Sequence, residues 1–230
     1  MTSETCPPTA PAGMLADRPV RWRLVIPVKH ADTAKSRLDP PAPLERPELA
    51  RAVALDTLEA ACAALPPHQV TVVTSDPVTT AAALALGARV VADPGRGLDA
   101  AVAAGWAGRC ADAARTDRAD GAVGGWAALL GDLPSLRATD LVRALTACAA
   151  HPAAVVPDAA GTGTVLLTST VGPPTPRFGP GSAARHAEAA VLLALTLPRL
   201  RRDVDVAAEL EEAVRLGVGR HTTLALELRA

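Results

Sequence analysis

Trp126-Ala-Ala-Leu-Leu-Gly-Asp-Leu-Pro-Ser135 is an apolar run that stops at Gly131-Asp132 and turns at Pro134. Such a run has the profile of a buried strand in an α/β sheet, with a carboxylate released at its carboxyl end, where open parallel sheets bind their ligands. Asp132 is therefore the first candidate for chemistry. It could instead shape the turn before Pro134 or cap a helix starting near Thr139, as Asp beside Pro often does.

The chain upstream supplies the rest of such a sheet. Arg23 to Lys29 is a short run with β-branched residues and reads as a first strand. Leu55, Leu58, Cys62 and Leu65 recur at helical spacing after Pro47, which predicts a helix of about five turns ending at Pro66-Pro67. Val70 to Ser75 is a second strand, Asp76-Pro77 opens a helix to Leu86, Gly87 stops it, and Arg89 to Ala92 is a third strand. The order β-α-β-α-β implies right-handed crossovers and a parallel sheet. A helix is expected from about Leu98 to Ala107, and the polar stretch from Arg109 to Gly125 as its surface extension and a loop.

Composition narrows the function. With 230 residues the chain suits one α/β domain. Its apolar residues are 49% of the total but include one Phe and no Tyr, so the core should be packed from small side chains with helices close to the sheet. The 23 basic and 24 acidic residues leave a net charge of -1, which provides no field for a polyanion, and nucleic acid is not an expected partner. Cys6, Cys62, Cys110 and Cys148 lack the paired spacing of a zinc site. Residues 1–20 read as a disordered tail rather than a signal peptide, and the apolar run Ala189–Leu197 is too short to cross a bilayer. A cytoplasmic protein without membrane partners is expected.

Several loops could carry chemistry. Lys29, Lys35 and Arg37 follow the first strand closely and could hold a triphosphate, or form an ordinary solvated basic loop. Asp93-Pro-Gly-Arg-Gly-Leu-Asp99 could bring backbone close to a nucleotide, although Gly-Arg-Gly is also common turn chemistry. Beyond a helix at Arg137–Ala150 and a strand at Ala153–Pro157, Gly161-Thr-Gly-Thr164 feeds the run Val165–Thr168. It reads as a ligand-facing turn or a simple hairpin. In Arg177-Phe-Gly-Pro-Gly-Ser-Ala-Ala-Arg-His186, Ser182 is placed to cap a helix running to about Leu195, and its hydroxyl with Arg185 could bind a phosphate or carboxylate. His186 reads as structural rather than as a ligand. Asp203 and Asp205 share one face if their segment is extended, with Val204 opposite; Asp205 could cap the next helix, leaving Asp203 for a metal.

In joint order these motifs resemble the nucleotidyltransferases of the nucleotide-diphospho-sugar transferase (MobA-like, Rossmann-like) type. They are most similar to the phosphoenolpyruvate or 2-phospho-L-lactate guanylyltransferase family of coenzyme F420 biosynthesis. The residues that carry it are Ile26-Pro-Val-Lys29 with Ala34-Lys-Ser-Arg-Leu38, Gly131-Asp-Leu-Pro134, Gly161-Thr-Gly-Thr164, Pro176-Arg-Phe-Gly-Pro180 with Ser182-Ala-Ala-Arg-His186, and Asp203-Val-Asp205. The resemblance implies a single three-layer α/β/α domain with a mostly parallel sheet over residues 21–220, with 221–230 as a C-terminal tail. It implies phosphoenolpyruvate at Thr164, Gly179 and Ser182, and Mg²⁺ on Asp132 and Asp203. The nucleotide GTP would lie near Lys29, Lys35, Arg37 and Asp99, with Lys35 joining the two aspartates as catalytic residues. The family usually has Asn where this chain has Asp99; an amide donates and accepts, whereas an ionised carboxylate only accepts.

The implied reaction moves GMP from GTP to phosphoenolpyruvate, releasing pyrophosphate, with possible hand-over of the product to a downstream transferase. Alternatives in the same class are 2-phospho-L-lactate or 3-phosphoglycerate as acceptor. From another class, the chain could be a nucleotide-binding regulatory protein that has lost turnover.

Overall fold

The structure is a computed structural model that describes residues 19–34, 38, 40, 44–120 and 123–227. A seven-stranded sheet of order β3-β2-β1-β4-β6-β5-β7 forms its middle layer. Strand β1 (Val20–Val28) pairs in parallel with β2 (Val70–Thr74) on one side and β4 (Val123–Leu129) on the other, and β3 (Arg89–Ala92) extends the β2 edge. The chain thus leaves β1 in one direction and returns on its other side, which makes the gap between the ends of β1 and β4 the switch point where such sheets bind ligands.

Burial on both faces explains why β1 is almost continuously apolar. Leu24, Ile26 and Val28 pack with Leu58 and Ala61 of α1 (Arg46–Ala64) and Leu141 and Leu145 of α4 (Ala138–Ala149). Val25 points the other way, to Val102 and Trp106 of α3 (Leu98–Asp120). The expectation of small residues and close helices holds at Gly105 of α3, where an added Cβ would lie 2.6 Å from Val25 Cγ1. Helix α2 (Pro77–Ala85) is capped by Asp76, which accepts the Thr79 N–H at 2.8 Å.

The sheet departs from the parallel pattern at one strand. Strand β5 (Ala153–Pro157) and β6 (Thr164–Ser169) form an antiparallel hairpin, and β6 inserts antiparallel beside β4. The glycine-threonine stretch is therefore a hairpin turn, and its residues Thr162 to Thr164 also line the cavity described below.

Three expected boundaries shift. The extension expected of α3 beyond Ala107 stays helical to Asp120, and the end of the expected loop, from Val123, already belongs to β4. The helix expected from Ser182 to Leu195 ends early: α5 covers Ser182–Ala187, and the apolar run beyond it forms β7 (Val191–Leu192) on the open edge of β5, with the Leu193 N–H on the Val155 carbonyl at 2.8 Å. Those edge hydrogen bonds are unavailable to a helix, and they win. Most of the tail expected at 221–230 is helix α8 (Arg220–Glu227), which packs against α1 beside α7 (Ala207–Leu216). The N-terminal tail is outside the described residues except for Pro19 and Val20, the latter opening β1. Among the described residues, no helix is long and apolar enough to cross a membrane.

Candidate active site

A cavity of about 490 Å³ opens at the carboxyl ends of β1 and β4. Lys29 enters it from β1, Gly131 and Asp132 from β4, Asp158 and Thr162 to Thr164 from the hairpin, Phe178 to Ser182 from the following loop, and Asp203 with Asp205 from the segment after α6 (Pro198–Arg201). Residues scattered over 177 positions, from Lys29 to Asp205, thus meet around one space. Lys35 and Arg37 lie outside the described residues.

Asp132 does not cap a helix. The N-cap of α4 is Arg137, and the Asp132 segment is anchored instead by its neighbours: the Leu133 N–H donates to Thr57 Oγ1 at 3.0 Å and the Ser135 hydroxyl to the Ala213 carbonyl at 2.8 Å. Gly131 lets the ends of β4 and β1 close up, since a Cβ there would come within 2.8 Å of the Pro27 carbonyl oxygen. The Asp132 carbonyl accepts the Val204 N–H at 3.2 Å, which draws the late acidic segment to the strand end.

That segment alternates as expected. Asp203 and Asp205 line the cavity, while Val204 is fully buried among α1, α7 and α8 residues. The capping role expected of Asp205 belongs to Glu209, whose carboxylate accepts the Asp205 and Val206 N–H groups at 2.6 and 3.1 Å. Burial, and then the neighbouring charge of Asp132, push the Asp203 carboxyl up to about 7. Two hard-oxygen carboxylates, Asp132 and Asp203, with Asp205 beside them, suit a divalent cation that would offset this repulsion.

The opposite wall is built from the hairpin and the 177–182 loop. The Asp158 carboxylate accepts the Thr162 and Gly163 N–H groups at 2.9 and 2.7 Å, a side-chain clasp within the hairpin turn that leaves no room for a side chain at Gly163. Sequence reasoning missed Asp158, because its partners four and five residues on are brought to it by the hairpin and not by a two-residue turn signal. Gly179 and Gly181 adopt φ of 106° and 72°, a region that suits glycine, and Gly181 rather than Ser182 is the N-cap of α5. Ser182, displaced to the first helical position, is buried against the cavity.

Two expected ligands turn out to brace this loop. Arg185 donates to the carbonyls of Arg177 at 3.0 Å, Phe178 at 3.1 Å and Pro180 at 2.5 Å, so its guanidinium is committed to the backbone rather than to an anion. Asp99 stands outside the cavity lining and accepts the Phe178 N–H at 2.7 Å, a role that needs only an acceptor. His186 is buried, with Nδ1 2.9 Å from Thr164 Oγ1 and Nε2 accepting the Arg177 N–H at 2.8 Å.

A second acidic group could in principle bind a metal: Asp56, Glu59 and His221 place ligand atoms within 4.8 Å of one another. Its acceptors are already occupied. Asp56 takes the His221 and Thr222 N–H groups at 2.8 and 2.9 Å at the start of α8, and Glu59 is bound by Arg220 and His221.

The fold recurs in solved structures. A Desulfovibrio desulfuricans protein described as a candidate nucleotide-diphospho-sugar transferase superposes with a TM-score of 0.51 at 15% identity, over 85% of this chain and 96% of that one. The Rv0371c protein of Mycobacterium tuberculosis, in complex with manganese, gives a TM-score of 0.51 at 18% identity, over 86% and 98%. The architecture is that of the nucleotide-diphospho-sugar transferases. Within it, residues 22–222 match the family described as "Guanylyl transferase CofC like", and the chain belongs to that family. Relatives named phosphoenolpyruvate guanylyltransferase include those of Streptomyces scabiei, 46% identical over 90% of this chain and 96% of that protein, and Salinispora arenicola, 45% identical over 88% and 92%.

Proposed function

We propose that the protein transfers GMP from GTP to phosphoenolpyruvate, forming enolpyruvyl-diphospho-guanosine and pyrophosphate, as a step of coenzyme F420 biosynthesis. The observation that carries this reading is the convergence of Lys29, Asp132 and Asp203 with Thr164, Gly179 and Ser182 on one cavity at the switch point, in a member of this family. A phosphate oxygen of phosphoenolpyruvate attacks the α-phosphorus of GTP, and the bond to the β-phosphate oxygen breaks as pyrophosphate leaves. The attacking oxygen is already anionic near neutral pH, so the protein needs no strong general base. Its task is to position the reactants and offset charge.

The two ends of the cavity divide that task. Thr164, Gly179 and Ser182 hold the phosphorylated acid, and Lys29 faces the GTP phosphates; the family resemblance assigns Lys35 and Arg37, outside the described residues, to the same phosphates. Asp132 and Asp203 hold Mg²⁺, whose charge offsets the repulsion between two polyanions. Purified protein incubated with Mg²⁺, GTP or ATP, and each of phosphoenolpyruvate, 2-phospho-L-lactate and 3-phosphoglycerate tests the reading through product mass and pyrophosphate. Product from GTP and phosphoenolpyruvate at the highest kcat/KM is expected. Nucleotide binding with no pyrophosphate from any acid would replace the enzyme with a regulatory binding protein.

A further inference from the structure

Resting on the reading of Thr164 as a contact for the phosphorylated acid, we propose that His186 is a positioning residue. Its fixed neutral tautomer turns the Thr164 hydroxyl into a hydrogen-bond donor aimed at the substrate. The bonding pattern leaves the imidazole one arrangement. A backbone N–H can only donate, so the Arg177 N–H at 2.8 Å requires a bare Nε2 lone pair. A neutral imidazole with Nε2 bare carries its proton on Nδ1, and that N–H must donate to Thr164 Oγ1 at 2.9 Å. The hydroxyl oxygen is then an acceptor on the histidine side, and its own proton is available to another group. No acceptor among the described residues takes it, while Thr164 lines the cavity. An anionic oxygen of the acid is the partner that completes the chain.

The surroundings hold the imidazole in this state. The ring is buried, with the Phe178 ring edge-on at 5.0 Å. Burial holds its pKa below the usual histidine range, against the opposing pull of Asp99 and assisted by Arg185 and Arg177. A second proton would set two donors, Nε2–H and Arg177 N–H, against each other. The same ring therefore ties the 177–182 loop to the hairpin and sets the direction of the Thr164 hydroxyl. With the Nδ1–H on one of its lone pairs, the hydroxyl cannot spend its proton on the imidazole, and that proton is left for the anion.

Two measurements test the proposal. A long-range ¹H–¹⁵N spectrum of the wild-type protein, with His186→Gln used for assignment among the five histidines, should show Nδ1 protonated and Nε2 bare near neutral pH. The opposite tautomer, or an imidazolium, would overturn it. In kinetics, Thr164→Val should raise KM for phosphoenolpyruvate on the order of tenfold with KM for GTP unchanged, the loss of one hydrogen bond to a charged group. His186→Gln should do the same, and the double variant should be no worse than either, because both remove one donor. His186→Asn, whose amide N–H occupies the Nδ1 position, should recover most of the loss. Equal impairment of the Asn and Gln variants, or multiplicative effects in the double variant, would sink the histidine's role and leave the Thr164 contact standing. An unaffected Thr164→Val enzyme would remove the acid-subsite reading itself.

Discussion

The molecule contains two carboxylate groups of similar composition in opposite circumstances. At the α1–α8 contact, Asp56 is buried but accepts two backbone N–H groups, and burial of Glu59 is outweighed by Arg220 and His221, which hold its pKa below the usual carboxylate range. At the cavity, burial and the neighbouring Asp132 push Asp203 upward instead. Proximity of acidic atoms alone selects the first group as a metal site. The accounting of their partners favours the second as the proposed cation site, because charges that are already neutralised gain little from a cation, whereas a carboxylate whose pKa is raised by burial and a neighbouring charge gains a great deal.

The sharpest way to break this contrast is to remove one charge from the cavity. Asp132→Asn or Asp203→Asn should lower GMP transfer by on the order of a hundredfold or more while the protein stays folded, measured as pyrophosphate release at limiting Mg²⁺. Near-normal turnover in both variants would make the two groups equivalent and end the metal assignment.

Next in size is the pH response of stability without divalent ions. The folded protein holds the Asp203 proton up to about pH 7, whereas the unfolded chain releases it near 3.8. Stability contributed by this group therefore falls as pH rises through that window, and the loss is complete above about pH 7. Urea unfolding in chelator should show that slope, Asp203→Asn should flatten it, and saturating Mg²⁺ should oppose it by binding the deprotonated form. A wild-type slope unchanged by the Asn substitution would remove Asp203 as its source.

The α1–α8 group should respond in stability alone. Asp56→Ala, which strands two amides at the start of α8, should cost about 1–3 kcal/mol in urea unfolding while kcat/KM at low temperature is retained. The smallest effect is expected from Glu59→Gln, about 1 kcal/mol or less, because its pairing with Arg220 and His221 is solvent-accessible. Loss of turnover in either variant, without unfolding, would give this group a part in the chemistry.

How much of this was readable in the sequence follows from the range of each interaction. Strands β2, β3 and β5, the caps at Asp76 and Gly87, and the alternation around Val204 depend on neighbours in the chain, and the sequence carried them. Asp132 was legible as the end of an apolar run, but its anchoring by Thr57 and Ala213 was not, since those partners lie more than seventy positions away. The backbone contacts of Arg185 and Asp99 were not legible for a related reason. Residue type revealed what they could bind, but only the folded loop supplies competing backbone groups that claim them first. Helix α8 was invisible because the carboxylate at its start comes from α1, and the α5 helix was overextended because the β5 edge outbids it for Val191 to Leu193.

The late arrival of Asp203 bears on how activity emerges during synthesis. A nascent chain made through β6 already contains Lys29, Asp132 and Thr164, and it can pair β1, β4 and β6. It still lacks Asp203, whose seat depends on Val204 docking with α7 and α8. On the proposed mechanism a half-made molecule, which also lacks Gly179 and Ser182, can neither complete the acid subsite nor join the substrates. Competence comes only when the last helices close over Val204, so turnover serves as a report that the whole domain has folded.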